Sequence, residues 1–423
     1  MVDTDAPEPL PLAQPGELRD EDGRVRPEFV ASIHTAIETG NRDALAALVG
    51  DLHEADLGAL IEELESEDRP RLITLLGRDF DFAALTEVDD AVREEILEEV
   101  PNEAIAEGMR DLDSDDAVYI LEDLDEADQE EVLANLPALD RDTLERALDY
   151  PDETAGRRMQ TDVIAVPPFW TVGQTIDFMR ETDDLPDQFY SIFIVDGQRR
   201  LVGTVPLDKL LRTKRPVRIS DLMGEVEHAA HVLDDQEEVA ETFKRYNLVS
   251  VPVTDDDGRL VGVLTFDDIV DVIDQEADED ILALGGVKAS EESSDPAFAI
   301  ARGRIPWLLA NMVTAFLASS VISGFSGQIE KMVALAVLAP IVASMGGNAG
   351  TQTMTVTVRA LATRSLDKGD AWRTVLREGS VGLLNGVVLA VVVETVAGLW
   401  FQNRDLGVVI GLSMQFVLVA AAL

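Results

Sequence analysis

Apolar residues divide the chain into three regions with different spacing. From Glu28 to about Tyr150 they recur every three or four positions, as at Val118, Leu121 and Leu124, which is the spacing of one face of a helix. Short β-branched runs alternate with amphipathic helices from 151 to 278, and long uncharged runs follow from 304 to 423. The pattern predicts a multidomain protein with an α-helical part, an α/β part and a membrane part.

The helical region (28–150) contains an internal repeat. Asp51–Leu64 and Asp123–Leu136 share one helical pattern 72 residues apart, and Asp111–Leu124 is a looser copy. Such repeats predict short helices stacked into a superhelix, a module that binds or docks rather than catalyses. Residues 1–27 are rich in proline and acids, and they are predicted to form a disordered tail.

The α/β region contains the same order of secondary-structure elements twice. Ser191–Gly203 and Ser250–Gly262 each predict a strand, a tight Asp/Gly turn and a second strand, with a helix before and after. A segment containing Met159 or Met223 precedes each unit. We expect two β-α-β-β-α modules, 151–214 and 215–278, that pair face to face. The run Asp255–Ile269 resembles a CBS domain, a regulatory fold that binds adenine nucleotides or metal ions.

Four apolar runs in the last region are candidates for membrane spans, each suited to ~30 Å of hydrocarbon. They are Ile305–Phe325, Met332–Val358, Gly379–Phe401 (interrupted by Glu394) and Leu406–Leu423. Basic residues precede the first run and fill the link between the second and third: Arg302, Arg304, Arg359, Arg364, Lys368, Arg373 and Arg377. This distribution predicts a multi-pass plasma-membrane protein whose first 300 residues are cytoplasmic.

Charge is distributed very unevenly along the chain. The formal net charge is −48, yet only nine basic and six acidic residues follow position 300, which leaves 25 basic and 76 acidic residues before it. This acidic surface excludes nucleic-acid binding and attracts cations. A salt-adapted, halophile-like coating is the alternative explanation for most of these acids. The absence of cysteine excludes disulfides and thiolate metal sites.

Polar residues interrupt the second span. Pro340–Ala362 carries proline, glycines, asparagine, glutamine and threonines, which are costly against lipid and therefore predict a protein-facing or water-filled environment. Gly346, Gly347 and Asn348 are candidates to line a path for a hydrated cation such as Mg²⁺. Close packing of helices through small residues is the alternative for the glycines. Glu394 is either an interfacial residue or a pore ligand.

Three features together resemble the MgtE family of magnesium channels: the segment Tyr150–Val166, the CBS pair, and the motif Gly346–Arg364. The resemblance implies a homodimer with five spans per subunit and a connecting (plug) helix, here 279–303. It also implies passive Mg²⁺ uptake through a pore that closes when cytoplasmic Mg²⁺ binds the helical and CBS domains. The chain ends at Leu423 inside the fourth span, so the family's fifth helix, with its acidic selectivity residue, is expected to be missing.

A Mg²⁺ sensor requires clustered carboxylates, and the end of the second CBS unit supplies them. The resemblance points to Asp235, Glu237, Asp268, Asp271, Glu276, Glu279 and Asp280 as ligands, with Asp116 or Asp115 as the partner in the helical domain. Asn247 stands where the family has an acid. One regulatory site is therefore expected to be weaker or arranged differently.

Other functions stay open at this point. The chain could be a non-conducting, membrane-anchored Mg²⁺ sensor or regulatory subunit, or it could transport another divalent ion such as Co²⁺ or Mn²⁺. ATP is a possible second ligand of the CBS pair. An enzyme is not expected, because we find no nucleophile–base pair, phosphate loop or zinc motif in the soluble part.

Overall fold

The computed structural model describes residues 18–20, 22–182, 185–186, 188–287, 297–362 and 371–423. It divides into two units, Met1–Ile273 and Asp274–Leu423, which we describe separately. The predicted succession of a helical domain, a CBS pair and membrane helices is confirmed. The predicted disordered tail falls mainly on residues 1–17 and 21, which lie outside the described residues.

Nine helices build the described part of the helical domain. They are α1 Pro27–Glu38, α2 Arg42–Val49, α3 Glu54–Glu63, α4 Arg69–Leu76, α5 Asp90–Glu99, α6 Asn102–Gly108, α7 Ser114–Glu122, α8 Glu126–Asn135 and α9 Ala138–Leu148. Single 3₁₀ turns lie at Gly77–Asp79, Phe82–Leu85 and Met109–Asp111. The buried faces of these helices form one continuous apolar core.

The internal repeat appears as two equivalent helices. α3 and α8 each have ten residues and begin 72 positions apart. His53 caps α3 through its ring nitrogen and Asp125 caps α8 through its carboxylate, so each repeat satisfies backbone amides of the first helical turn in its own way. Ordered structure begins before Glu28, because Leu18 is buried in this core and Arg19 forms an ion pair with Asp56.

The CBS pair consists of two modules with the same topology. The elements are α10 Ala155–Arg158, β1 Ala165–Val166, α11 Val172–Glu181, β2 Ser191–Val195, β3 Leu201–Pro206, α12 Leu207–Leu211, α13 Ile219–Leu222, β4 Ala230–His231, α14 Gln236–Tyr246, β5 Ser250–Thr254, β6 Leu260–Thr265 and α15 Phe266–Gly285. In each three-stranded sheet a parallel pair is followed by an antiparallel hairpin. The modules meet at their hairpins, where the Leu201 amide donates to the Gly258 carbonyl at 3.1 Å.

The segment that precedes the first strand of each module packs against the other module. Met159, which precedes the first module in sequence, lies in the core of the second module against Gly262. Met223 likewise packs on Gly203 of the first module. A β-carbon at either glycine would come within 3 Å of the methionine sulfur, so both glycines are needed for this exchange. The domain limits predicted at 151 and 215 assign each methionine to the module that follows it in sequence, so they did not anticipate this exchange.

α15 continues without interruption past the expected boundary at 278, because no glycine or proline lies between Phe266 and Ile281. Of the expected connecting segment 279–303, residues 288–296 lie outside the described part. The remaining helices are α16 Ala297–Gly324, α17 Ser326–Lys331, α18 Val333–Ala362, α19 Ala371–Trp400 and α20 Arg404–Ala421. α16, α18, α19 and α20 are long and apolar enough to cross a membrane, which confirms the four predicted spans.

Small residues hold the last two spans together. α20 packs against both α18 and α19. Gly407 and Gly411 of α20 lie against the backbone of α19, and Gly382 of α19 lies against α20. Gln415 of α20 donates a hydrogen bond to the Leu383 carbonyl at 3.2 Å. Close backbone approach and hydrogen bonds between helices are the usual means of association between membrane helices, where the hydrophobic effect gives no driving force.

A buried arginine links α5 to α7 in the helical domain. The Arg93 side chain is 1% exposed and forms ion pairs with Asp90 at 2.8 Å and with Asp123. Its guanidinium carbon lies 4.1 Å from the centre of the Tyr119 ring. A charge buried this deeply is tolerated only when it is paired.

We therefore expect Arg93→Met to lower the free energy of unfolding by about 3–5 kcal/mol, because Asp123 would keep a half-buried charge without its partner. Arg42→Met is the matched control, since both ends of the Arg42–Asp79 pair are more than half exposed. We expect the control to change stability by less than about 1 kcal/mol. Urea unfolding of the fragment 1–287, followed by circular dichroism, measures both. Equal losses in the two variants would contradict the argument.

Candidate functional site

Two helices begin at the junction between the helical domain and the second CBS module. Asp115 and Asp116 lie in the first turn of α7, and Asp268 lies in the first turn of α15. Helix N-termini favour nearby negative charge, which partly explains why acids are tolerated there. Ser114 fixes α7 to the CBS pair, because its hydroxyl accepts hydrogen bonds from the Thr161 amide at 2.7 Å and the Thr161 hydroxyl at 2.9 Å.

Like charges and burial dominate the electrostatics of this junction. Burial, followed by the charges of Asp268 and Asp116, raises the pKa of Asp115 well above its usual range. Burial and the charge of Asp268 raise the pKa of Asp116 to about 7. Burial raises the pKa of Asp268 to about 6, although the Thr265 hydroxyl donates to it at 2.5 Å and acts in the opposite direction. The charge of Asp268 therefore opposes the ionisation of both Asp115 and Asp116.

One oxygen of this cluster has no donor. Asp115 Oδ1 is inaccessible to solvent and has no hydrogen-bond partner. It belongs to a carboxyl group that faces the carboxyl group of Asp268, and such a contact becomes a hydrogen bond only when the two groups share a proton. An unsatisfied buried oxygen of this kind is expensive, so the junction is suited to take up either a proton or a cation.

The donor set fits a hard cation, because every group in it offers oxygen. Among the described residues, no three His, Asp or Glu side chains converge to form a complete metal site. Mg²⁺ does not require such a cage, since it keeps several of its waters and binds through one or two carboxylates. Asp115, Asp116 and Asp268 are the residues that could hold it here.

The other expected ligands are distributed over two helices. Asp235 caps α14 and accepts from the Glu237 amide at 3.0 Å, which gives Asp235 a structural role. The largest contributions to the raised pKa values of Asp115, Asp116 and Asp268 come from burial and from other residues. Glu276, Glu279 and Asp280 lie further along α15, beyond Ile273 and thus in the second unit.

Sequence reasoning missed three acids of the helical domain at this junction. Burial raises the pKa of Glu87, and the charges of Glu54 and Asp271 raise it further. Glu54 also raises the pKa of Asp116, and Asp113 acts on both Asp115 and Asp116. The expected ligand Asp271 thus faces Glu87 of the helical domain. No local pattern distinguishes these acids from their many exposed neighbours.

α18 has one polar and one packed face. Asn348, Gly347, Thr351 and Thr355 are exposed, and the two threonine hydroxyls donate to carbonyls of their own helix. Gly346 lies on the opposite face, buried against Val417 of α20. Of the three expected pore residues, the structure therefore groups Gly347 and Asn348 on the polar face and uses Gly346 for helix packing.

Glu394 lies on α19 and is half-buried. Its β-carbon is 3.2 Å from the position that a β-carbon on Gly411 would occupy, and its carbonyl lies against Gly407. The backbone at Glu394 is therefore part of the contact between α19 and α20.

A narrow cleft lies between the two CBS modules. Its lining includes Gln160, Asp162, Tyr190, Ser250 and Thr265. The cavity volume is about 20 Å³, enough for one water molecule. It does not fit a nucleoside in this conformation.

These observations define a class of protein: a membrane protein that carries an acidic helical domain and a CBS pair. Family comparisons agree. Residues 52–153 match the MgtE intracellular N domain, 155–215 and 219–275 match CBS domains, and 339–423 match MgtE, the divalent cation transporter. The soluble part of a magnesium transporter is a similar solved structure, with 29% identity and a TM-score of 0.54 over 59% of this chain and 98% of that one.

A second solved structure, the cytosolic domain of the Mg²⁺ channel MgtE in complex with ATP, is 29% identical with a TM-score of 0.53, over 57% of this chain and 99% of that one. The magnesium transporter MgtE of Thermus thermophilus is 31% identical over 86% of this chain and 82% of its own length. The Enterococcus faecalis transporter MgtE is 35% identical over 66% of this chain, a match that spans 62% of that relative. The chain belongs to the MgtE family.

The raised pKa values predict how the stability of the metal-free sensor depends on pH. A carboxyl group whose pKa is higher in the folded than in the unfolded state destabilises the fold as pH rises from about 4 through the folded pKa, by at most ~1.4 kcal/mol per pH unit for each proton. In EDTA we expect Asp116→Asn to be more stable than the wild type at pH 8, and the difference to shrink as pH falls and to vanish below about pH 4. Asp142→Asn, an exposed acid on α9, should give no such difference. Thermal unfolding across this pH range measures the effect, and a constant offset would contradict it.

Proposed function

We propose that this chain forms a magnesium channel of the plasma membrane, and that cytoplasmic Mg²⁺ binding to the junction of Asp115, Asp116 and Asp268 closes it. Mg²⁺ moves passively down its electrochemical gradient. The observation that carries the sensor is the buried Asp115 oxygen, which has no donor and belongs to a carboxyl group facing that of Asp268. The names of the relatives, magnesium transporters, support the ion.

The chemistry of the sensor is repulsion in the absence of Mg²⁺. When the ion is present, it neutralises carboxylates that otherwise oppose each other across the junction. A ligand shifts a conformational equilibrium only through its different affinity for the two states. Mg²⁺ binds the compact arrangement better because only there do the acids of α7 approach Asp268. Asp271, which faces Glu87, offers a second contact of the same kind.

α15 is the element that carries this change towards the membrane part. Asp268 lies in its first turn, and the helix runs unbroken to Gly285. A rigid helix transmits a displacement at one end to the other. Glu276, Glu279 and Asp280 on its later turns are further ligands in this proposal, together with Asp235 and Glu237 on α14.

The path for the ion follows the polar face of α18. Asn348, Thr351 and Thr355 lie on the exposed side of α18, away from α20. Lipid cannot satisfy an asparagine side chain, so this face needs water or a second polar surface. A second copy of the chain supplies that polar surface, and two such faces together enclose a water-filled pore.

A homodimer is also supported by α15. Its exposed apolar residues Phe266, Val270 and Ile273 recur at helical spacing and form one face of the helix.

Two alternative functions would use the same Mg²⁺-binding junction. In one the chain is a membrane-anchored regulatory subunit without flux; in the other it transports Co²⁺ or Mn²⁺, whose preference for oxygen ligands overlaps that of Mg²⁺. Nucleotide binding at the CBS pair is a secondary proposal, supported by the ATP complex of the similar cytosolic domain. The cleft would have to widen, so we assign ATP no step in gating.

The sensor proposal predicts protection by Mg²⁺. At high KCl and at Mg²⁺ tenfold above its Kd, we expect proteolysis of the junction to slow roughly tenfold, because only the compact state binds the ion. Asp115→Asn/Asp268→Asn removes both the ligands and their repulsion, so its cleavage rate should be the same with Mg²⁺ as with EDTA. The control Asp142→Asn/Glu103→Gln, which removes two exposed charges, should keep the Mg²⁺-dependent change.

The measurement compares cleavage of the full chain in detergent with Mg²⁺ and with EDTA. If the wild type gains no protection, the acidic cluster is a salt-adapted surface. In liposomes, flux through the same junction variant should no longer depend on internal Mg²⁺, whereas internal Mg²⁺ should silence the control. Protection without any flux in either protein would favour the regulatory subunit.

The pore proposal predicts that Asn348→Leu lowers Mg²⁺ uptake roughly ten- to hundredfold, the value of one hydrogen bond to a charged group. Thr353→Val is the control, because Thr353 lies on the packed side of α18. Fluorescent-indicator uptake into liposomes, normalised to inserted protein, measures both. Similar uptake by the two variants would move the path away from this face.

A further inference from the structure

The first CBS module carries a basic surface on an otherwise acidic sensor. Five basic residues and no acids occupy Lys209–Arg218, although the first 300 residues contain 76 acids and only 25 basic residues. Any ten residues of that region would on average hold two or three acids. A fifth of its positive charge is thus concentrated in one short segment, which calls for a physical reason.

Three of these cations are exposed and have no ion-pair partner among the described residues: Arg212, Lys214 and Arg218. Arg215 differs, because it forms a salt bridge with Asp177 at 2.6 Å. Lys209 donates to the Leu222 carbonyl at 2.8 Å. Other basic residues of this domain, such as Arg199 and Lys244, are also exposed. What distinguishes Arg212, Lys214 and Arg218 is that they lie within seven positions of one another with no acid between them.

Two large apolar side chains are exposed beside the cations. Leu211 is 63% exposed at the end of α12, and Phe169 is 70% exposed in the loop before α11. The loop and the basic segment form one edge: the Ile219 and Ser220 amides donate to the carbonyls of Trp170 and Pro168, and Thr171 pairs with Arg218. We call Phe169, Leu211, Arg212, Lys214 and Arg218 the basic edge.

We propose that the basic edge docks onto the anionic lipid headgroups of the membrane in which this chain is embedded. Cations attract an anionic leaflet, and phenylalanine and leucine anchor at the boundary between headgroups and acyl chains. Three cations contribute together on the order of a hundredfold in affinity at low salt. Because the spans tether the sensor to the bilayer, the edge meets lipid at high effective concentration, and a weak contact suffices.

A second copy of the chain fits this edge less well. A stable protein interface needs about 800 Å² and 20–30 residues from each partner, so contact would extend beyond these five side chains. Beyond them the surface of both copies is acidic, and acids would oppose acids. Lipid needs only the protruding side chains. The repulsion between the remaining acids and the leaflet falls off within the screening length, which is shorter at high salt.

The lack of cysteine makes the test specific, because Leu211→Cys provides a unique site for an environment-sensitive fluorophore. The full chain is reconstituted in nanodiscs of phosphatidylglycerol with phosphatidylcholine, or of phosphatidylcholine alone, each containing lipid with a nitroxide near the headgroup. We expect quenching at position 211 in the anionic discs, several-fold less in the neutral discs, and none at the reference site Leu139→Cys, an exposed residue of α9.

Charge variants test whether the three cations cause the quenching at position 211. Arg212→Gln/Lys214→Gln/Arg218→Gln should lower the quenching at 211 to the neutral-disc level, whereas Arg199→Gln/Arg200→Gln/Lys244→Gln, with the same change in net charge, should leave it unchanged. Circular dichroism and Mg²⁺ protection of both variants confirm that they are folded. Equal responses in the two kinds of disc would overturn the proposal. A buried but unquenched fluorophore would also overturn it and would assign the edge to a second copy.

Discussion

Repulsion between buried carboxyl groups is the constraint on which the contact between the helical domain and the CBS pair depends. Asp115 and Asp268 belong to different domains, yet they face each other where Asp115 Oδ1 has no donor. Well-packed apolar residues would join the two domains at less cost. The acids make the stability of the junction depend on its charge, because a proton or a cation relieves their repulsion. A junction of this kind suits a domain contact that must open and close.

Burial distinguishes Asp115, Asp116 and Asp268 from the other acids of the first 300 residues. Most of the 76 acids before position 301 are solvated, and in high salt their mutual repulsion is screened. Burial changes the outcome for Asp115, Asp116 and Asp268, because water no longer shields one charge from the next. A salt-adapted surface and a specific acidic site can therefore coexist in one domain, and desolvation, not the number of charges, separates them.

Sequence was sufficient where the signal is local. The 72-residue repeat, the duplicated strand–turn–strand units and the four apolar runs each depend on periodicity within one segment, and all appear in the structure. The exchange of Met159 and Met223 between modules depends on which distant glycine each methionine meets. Likewise, Asp116 and Asp268 were expected as ligands, but Glu54, Glu87 and Asp113 join them only through the packing of the helical repeats. Spacing along the chain carries no information about such contacts.

The polar motif of α18 illustrates how one sequence signal can combine two physical causes. Gly346, Gly347 and Asn348 are adjacent, so any sequence-based reading treats them as a unit. A helix turns about 100° per residue, and this rotation puts Gly346 against α20 while it turns Asn348 away. One side of the motif allows close packing of helices, and the other offers polar groups that lipid cannot satisfy. The two sides are linked, because the polar face is held in position by the face that packs.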